Sequence, residues 1–328
     1  MPYPFRVLCG KGGYHIPRST PSIRRRILIS RMIRILGTVF VGLLGLAFGS
    51  FLNVCLSRWP QGESIVSPRS HCRHCNHTLA WWENIPLVSW LALRGRCSSC
   101  RAWISWRYPL VELAVGVLWA LVAWIMLRVT WSGESVIYAF DNHYELAGAI
   151  GIIVLYWLLV ALAVLDAENL WLPNWITLPG IIIGFIFSVW RNRLIYEMPG
   201  SDIGPSPFAP GWMSRLLGIL AAAALILLIR WLYWLIRRRE GIGLGDAKLM
   251  ALLAAWLGLP GALLAFGLGV VLGAAVALVL LVIPATRTNT GAWALKKMPL
   301  GTFLCIGGIV SSLWGQHIIH AYLRWAGF

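Results

Sequence analysis

Apolar and polar positions fall along this chain in long blocks, not in the short alternation of a soluble sheet. Apolar runs cover 35–56, 109–129, 146–165, 175–190, 212–236, 246–257, 261–284 and 300–323. Most come close to the roughly 20 residues that span about 30 Å of hydrocarbon. The pattern therefore predicts an all-α polytopic membrane protein with about eight transmembrane helices. The run 246–257 is short for this. It must start early, thin the bilayer or be shielded by protein. Gly37, Gly42, Gly45 and Gly49 stud the first run, and such small residues let helices approach closely in lipid. Asn53 is its polar exception, with an interhelical hydrogen bond and a catalytic role both open.

Composition agrees with the pattern. Hydrophobic residues make up 59% of the chain and charged ones 12%, against about 25% charged in a soluble domain. The net charge of +16 calls for no nucleic acid, because cytoplasmic loops collect Lys and Arg and anionic lipid attracts them. Placing the block 57–108 in the cytoplasm fixes the other loops by alternation. The inside segments 57–108, 237–248 and 285–299 then hold seven, four and three cations, while five lie on the outer side after the first span. The basic segment 1–34 breaks the rule, with eight cations on the outer side. A chain starting at Met32 would keep only Arg34 there, so 1–31 reads as a misassigned start or a dispensable extension. No cleavable secretory signal is evident.

The block 57–108 is a domain of another kind. It carries seven arginines, three histidines (His71, His74, His77) and two C-x-x-C pairs, Cys72/Cys75 and Cys97/Cys100, 21 residues apart. Each pair can set two thiolates on one metal from a tight knuckle, and two knuckles complete a tetrahedral site. A structural zinc is the expectation. Disulfides are the alternative and need an oxidising compartment, against which the arginine load argues. Cys9, Cys55 and Cys305 read as incidental. The histidines read as surface residues, and Trp81, Trp82, Trp90, Trp103 and Trp106 as interfacial anchors, not an adenine-stacking box.

The four aspartates divide by depth. Asp141 and Asp202 fall in outer loops, whereas Asp166 ends the third span and Asp246 begins the sixth, both at the cytoplasmic edge. Acids entering apolar surroundings are functional by default. Two that meet can share a proton, one serving as base for water and the other activating a carbonyl. The alternative is that each caps a helix or pairs with Lys248 or an arginine. Gly243 and Gly245 precede Asp246 and permit close backbone approach and unusual φ. Lys248 suits interfacial snorkelling or tuning of the acids. Glu112, Glu168 and Glu240 read as helix-end salt bridges, with contact to basic substrate residues as the alternative.

These motifs together resemble the type IV prepilin peptidases, membrane aspartyl proteases of the GxGD type. The likeness runs from about residue 42 to 308. It is carried by Gly49-Ser50-Phe51-Leu52-Asn53-Val54 with Arg58 and Pro60, by Ser67-Pro68-Arg69-Ser70-His71-Cys72, and by Trp82-Glu83-Asn84-Ile85-Pro86-Leu87. Arg94-Gly95-Arg96-Cys97, Arg107-Tyr108-Pro109-Leu110-Val111-Glu112, Leu172-Pro173-Asn174 and Gly243-Leu244-Gly245-Asp246-Ala247-Lys248-Leu249 follow in order. The resemblance implies a bacterial inner-membrane enzyme that cuts the basic leader from type IV prepilins or type II secretion pseudopilins at the cytoplasmic face. It implies Asp166 and Asp246 as catalytic residues. Because the tetracysteine domain is present, it also implies N-methylation of the new terminus from S-adenosylmethionine. Two departures stand out: Asn174 where Asp is common, and Pro299-Leu300-Gly301-Thr302-Phe303 for Pro-Phe-Gly-Pro-Phe. Neither is expected to touch the acid pair, so both should bear on substrate fit.

Other classes remain in view. A transporter would place its acids near the midplane, often between repeats. A zinc protease needs H-E-x-x-H, which is absent. A rhomboid-like enzyme needs a Ser/His pair, but His317 and His320 lie near the outer end of the last span. A peptidase without methyl transfer, or a zinc-binding membrane module with structural aspartates, also stays open. No dinucleotide-type motif marks an S-adenosylmethionine site.

Overall fold

A computed structural model of the chain describes residues 21–129, 143–196, 211–239, 243–282 and 298–327. Among them are seven helices long and apolar enough to cross a membrane, and no strand. The long helices are α1 (Pro21–Arg58), α3 (Arg107–Val129), α4 (His143–Asn169), α5 (Asn174–Tyr196), α6 (Trp212–Arg237), α7 (Leu244–Val282) and α8 (Leu300–Trp325); α2 (Val88–Ala92) is a short turn.

Seven helices still give the eight apolar segments that the sequence suggested, because α7 is two segments. Gly258 has φ 79° and ψ 169°, outside the helical region, and Pro260 follows. In the first segment, 244–257, Asp246 lies on the side of Asp166 and Leu253 fills the space beside Gly308. Since Asp166 meets the start of α8 at Thr302, this segment runs parallel to α8. In the second segment Gly261 faces Ser311, Gly269 faces Leu304 and Gly273 faces Phe303, which is antiparallel. The chain therefore reverses at Gly258, where a left-handed φ favours glycine. Arg215 and Leu259 pack around the turn.

Of the three ways a short span could be accommodated, the structure uses shielding. Leu249, Met250, Leu252, Leu253, Ala254 and Ala255 are all fully buried. A segment apolar on every side belongs in the interior of a bundle. Leu155, Leu159, Leu162 and Leu165 of α4 belong to the same core, as do Ile219, Ala222 and Ile226 of α6. On α5, Gly180 and Gly184 make room for Leu252 and Trp256.

At the other side of the molecule α1 and α3 form an antiparallel pair. Gly37 faces Leu127, Gly42 faces Ala120, Gly45 faces Gly116 and Gly49 faces Glu112. A Cβ at Gly45 would stand 2.9 Å from the Cα of Gly116. Gly45→Val is therefore expected to destabilise the detergent-solubilised protein by about 1–3 kcal/mol, the usual cost of overpacking, seen as a lower thermal midpoint. Helix α1 starts at Pro21, well before the expected residue 35, because Leu28, Ile29, Met32 and Ile33 continue its apolar content between the arginines. It passes through Met32 without a break; residues 1–20 lie outside those described.

The domain between α1 and α3 is held by two knuckles of the same build. Cys72 N–H donates to His77 and Asn76 N–H to Cys72; Cys97 N–H donates to Ala102 and Arg101 N–H to Cys97. Asn76 and Arg101, each four residues past the first cysteine, have left-handed φ of 56° and 59°. Isolated bridges His71–Thr78 and Arg96–Trp103 close the two loops.

Candidate active site and metal centre

Asp166 lies in the last turn of α4, and α7 begins with Asp246 in its first turn. Both acids are nearly inaccessible, at 6% and 8% exposure. Asp166 Oδ2 accepts the backbone N–H of Thr302 at 2.7 Å. The Thr302 hydroxyl donates to the Ala163 carbonyl at 2.9 Å and lies 3.3 Å from the same carboxylate oxygen. Asp246 Oδ2 accepts the Gly243 N–H at 3.1 Å. The two carboxylates lie close enough for one charge to bear on the other, and Cys305, fully buried, lies near both. The two sequence candidates thus come together at one end of the bundle.

Leu172 packs beside the pair. Its side chain would lie 3.0 Å from a Cβ at Gly245 and 3.2 Å from one at Gly301, so it wedges between the starts of α7 and α8. Gly245 is needed for this close approach. Gly245 is not among the positive-φ glycines of the described residues, so it does not use the unusual φ that glycine permits. Lys248 donates to Asn174 Oδ1 at 2.5 Å, tying the start of α7 to the start of α5 instead of pairing with an acid. One departure from the family pattern thus touches the acid pair, against expectation, because Thr302 binds Asp166, whereas Asn174 holds Lys248. A Cβ at Gly301 would stand 2.8 Å from Asp166 Oδ2. Gly301→Ala should therefore push the carboxylate aside and cut turnover about 10²-fold, with unchanged helical circular dichroism as the control.

Of the other acids, Glu168 forms the expected helix-end salt bridge, to Arg107 at 2.8 Å. Glu240 lies outside the described residues. Among the described residues Glu112 pairs with no cation: it accepts the Leu87 N–H at 2.8 Å and is also hydrogen-bonded by Ser50 and Asn53. Asn53 makes the interhelical bond, Nδ2 to the Tyr108 carbonyl at 2.9 Å, yet its buried Oδ1 has no partner. Both residues line a cavity of about 600 Å³ between the knuckle domain and the ends of α1 and α3. Trp90 and Trp103 line it as well, so these two are more than surface anchors.

The four cysteines converge. Their sulfur atoms all lie within 4.8 Å of one another, and Cys72 and Cys100 sulfurs are 3.8 Å apart. Zinc–sulfur bonds of about 2.3 Å in a tetrahedron place sulfurs about 3.8 Å apart, so the cluster can bind a metal. The Ala102 N–H lowers the Cys100 thiol, but burial and its hydrogen bonds to Cys75, Cys97 and Cys72 outweigh it and push the pKa up to about 11. A bound cation reverses that logic by holding the thiolates. Among the described residues no histidine joins the cluster. Glu83 lies beside it, held below the usual carboxylate range by the Ser98 hydroxyl and the Ala80 N–H.

Two family models match. One describes the bacterial peptidase A24 N-terminal domain, over residues 43–126, and the other the type IV leader peptidase family, over residues 153–278. A prepilin leader peptidase/N-methyltransferase of Stutzerimonas stutzeri is 34% identical over 306 residues, covering 86% of this chain and 92% of its own. The chain belongs to the type IV leader peptidase family. A prepilin leader peptidase/N-methyltransferase of Pseudomonas aeruginosa is 34% identical over 309 residues, covering 87% of this chain and 93% of its own. One of Myxococcus xanthus is 39% identical over 219 residues, 67% of this chain and 56% of its own. No solved structure matches.

Proposed function

We propose that this chain is a membrane aspartyl endopeptidase that removes the basic leader of type IV prepilins or type II secretion pseudopilins, and then methylates the new N-terminus. The meeting of Asp166 and Asp246 at one end of the helix bundle carries the reading. A leader joined to an apolar helix presents its scissile bond at the membrane surface, where two acids at the ends of α4 and α7 can reach it. Sited in the bacterial inner membrane with the knuckle domain and acids inside, the enzyme meets substrate before export.

One carboxylate takes a proton from water, whose oxygen attacks the scissile carbonyl carbon; the other gives its proton to the carbonyl oxygen. Collapse of the tetrahedral adduct breaks the C–N bond as a proton passes to the leaving amine. Asp166, with its short Thr302 hydrogen bond, suits the charged role, and Asp246, with one longer bond, the protonated one. Zinc suits the four-thiolate cluster and would be held by Cys72, Cys75, Cys97 and Cys100, tying together two knuckles that otherwise share little core. S-adenosylmethionine, when bound, supplies an electrophilic methyl group. The buried, unpartnered Oδ1 of Asn53 and the nearby Glu112 carboxylate form an acceptor pair suited to its amino group. Co-incubation with a candidate precursor tests the reading: the product should lose the leader and gain one methyl by mass spectrometry. A precursor that stays intact with several pilins and pseudopilins overturns the peptidase assignment.

A further inference from the structure

We infer that the cavity between the knuckle domain and the cytoplasm-facing ends of α1 and α3 is the S-adenosylmethionine site, with Glu112 and Asn53 receiving the ammonium of its amino-acid end. This rests on the methyl-transfer reading above. The volume, about 600 Å³, falls within the roughly 300–1,000 Å³ of small-molecule sites. The decisive feature is its floor. Asn53 is 2% exposed and its Oδ1 has no hydrogen-bond donor; a buried acceptor left unsatisfied is costly. Glu112, 8% exposed, is hydrogen-bonded by Leu87, Ser50 and Asn53 but has no cationic partner among the described residues. A buried carboxylate without a countercharge is costly. One ammonium answers both, offering a proton to each acceptor and a charge to the carboxylate.

The rest of the cavity suits the other parts of that ligand. Trp90 stands on one wall, fixed by its Nε1–H to the Ile104 carbonyl at 3.2 Å and by a tilted contact with Trp106, 4.3 Å between ring centroids. Gly95 makes this possible: its φ is +66° and a Cβ would lie 2.8 Å from the Trp90 ring. A fixed indole face, with Trp103 beside it, offers a stacking surface for adenine. Asn84 and Ser98 add polar groups within reach of a ribose. The site is also near the acid pair. Tyr108 lines the cavity, and its neighbour Arg107 is bonded to Glu168, two residues past Asp166. A freshly cut terminus therefore has a short path to the methyl donor.

Binding separates this site from the reaction it serves. Purified full-length, metal-loaded protein is titrated with S-adenosylmethionine and with S-adenosylhomocysteine by calorimetry. It is then photolabelled with methyl-tritiated S-adenosylmethionine and mapped by peptide mass spectrometry. Label is expected within 84–108. Glu112→Gln, whose amide oxygen can still accept from Leu87, is expected to weaken both ligands at least tenfold, with metal content and helicity unchanged. Label outside this segment, or unchanged affinity in folded, metal-loaded Glu112→Gln, overturns the assignment. A wild-type protein that cleaves precursor but neither binds these ligands nor methylates overturns the methyl-transfer reading itself, and this site with it.

Discussion

Asp166→Asn and Asp246→Asn are each expected to lower leader cleavage on the order of 10³-fold or more, within the range attributed to a positioned acid or base. Asparagine keeps the size and the acceptor oxygen of aspartate, so the Thr302 N–H can still donate at position 166 and the Gly243 N–H at position 246. What is lost is the ability to take or give a proton. Because the two acids act as one unit, the double variant should be scarcely worse than either single one. Cleavage of a purified precursor followed by mass spectrometry reads the effect, with helical circular dichroism and metal content as controls. A wild-type rate in either variant would mean that the acids are structural, as in the zinc-module alternative.

Replacing Cys97 and Cys100 together by serine should reduce bound metal from one ion per chain to none, read by elemental analysis. Two ligands cannot hold what four thiolates hold, and metal affinity in such a site is also folding free energy. The second knuckle carries Cys97 on the cavity wall, with Trp103 and Ile104 just beyond it. Its loss should therefore lower methylation of cleaved product at least tenfold, and lower it more than it lowers cleavage. The acid pair sits among α4, α7 and α8, which the knuckle side reaches through the Arg107–Glu168 bond and the packing of Trp59 on Trp157. Unchanged methylation in the metal-free variant would show that the cysteine site is not required for that step.

Much of this arrangement was legible in the residues themselves. Block hydropathy gave the helices, because a membrane span must satisfy its backbone internally and so leaves a long apolar run. The C-x-x-C pairs announced their cluster because metal geometry fixes ligand spacing. Asp166 and Asp246 stood out because charge is rare inside spans. The partners of those acids were not legible. Thr302 donates through its backbone N–H, which every non-proline residue has, so no residue code marks it. Leu172 acts by position alone, as one leucine among many. Asn53 and Glu112 looked like a helix contact and a helix-end acid. Only the fold brings them to one cavity, because α1 and α3 run antiparallel with their glycines in register. The start of α1 was misjudged because arginines interrupt an apolar content that the helix nonetheless continues.

The buried first segment of α7 also sets an order of events during biogenesis. At 14 residues before Gly258, it spans about 21 Å at 1.5 Å per residue, too little to rest stably in lipid alone. Its walls include α8, which follows it in the chain and also brings Thr302 to Asp166. A nascent chain stalled before residue 300 would have both acids but neither the α8 wall nor the Thr302 bond to Asp166. On the proposed reading, cleavage by the acid pair would have to wait until α8 is in place.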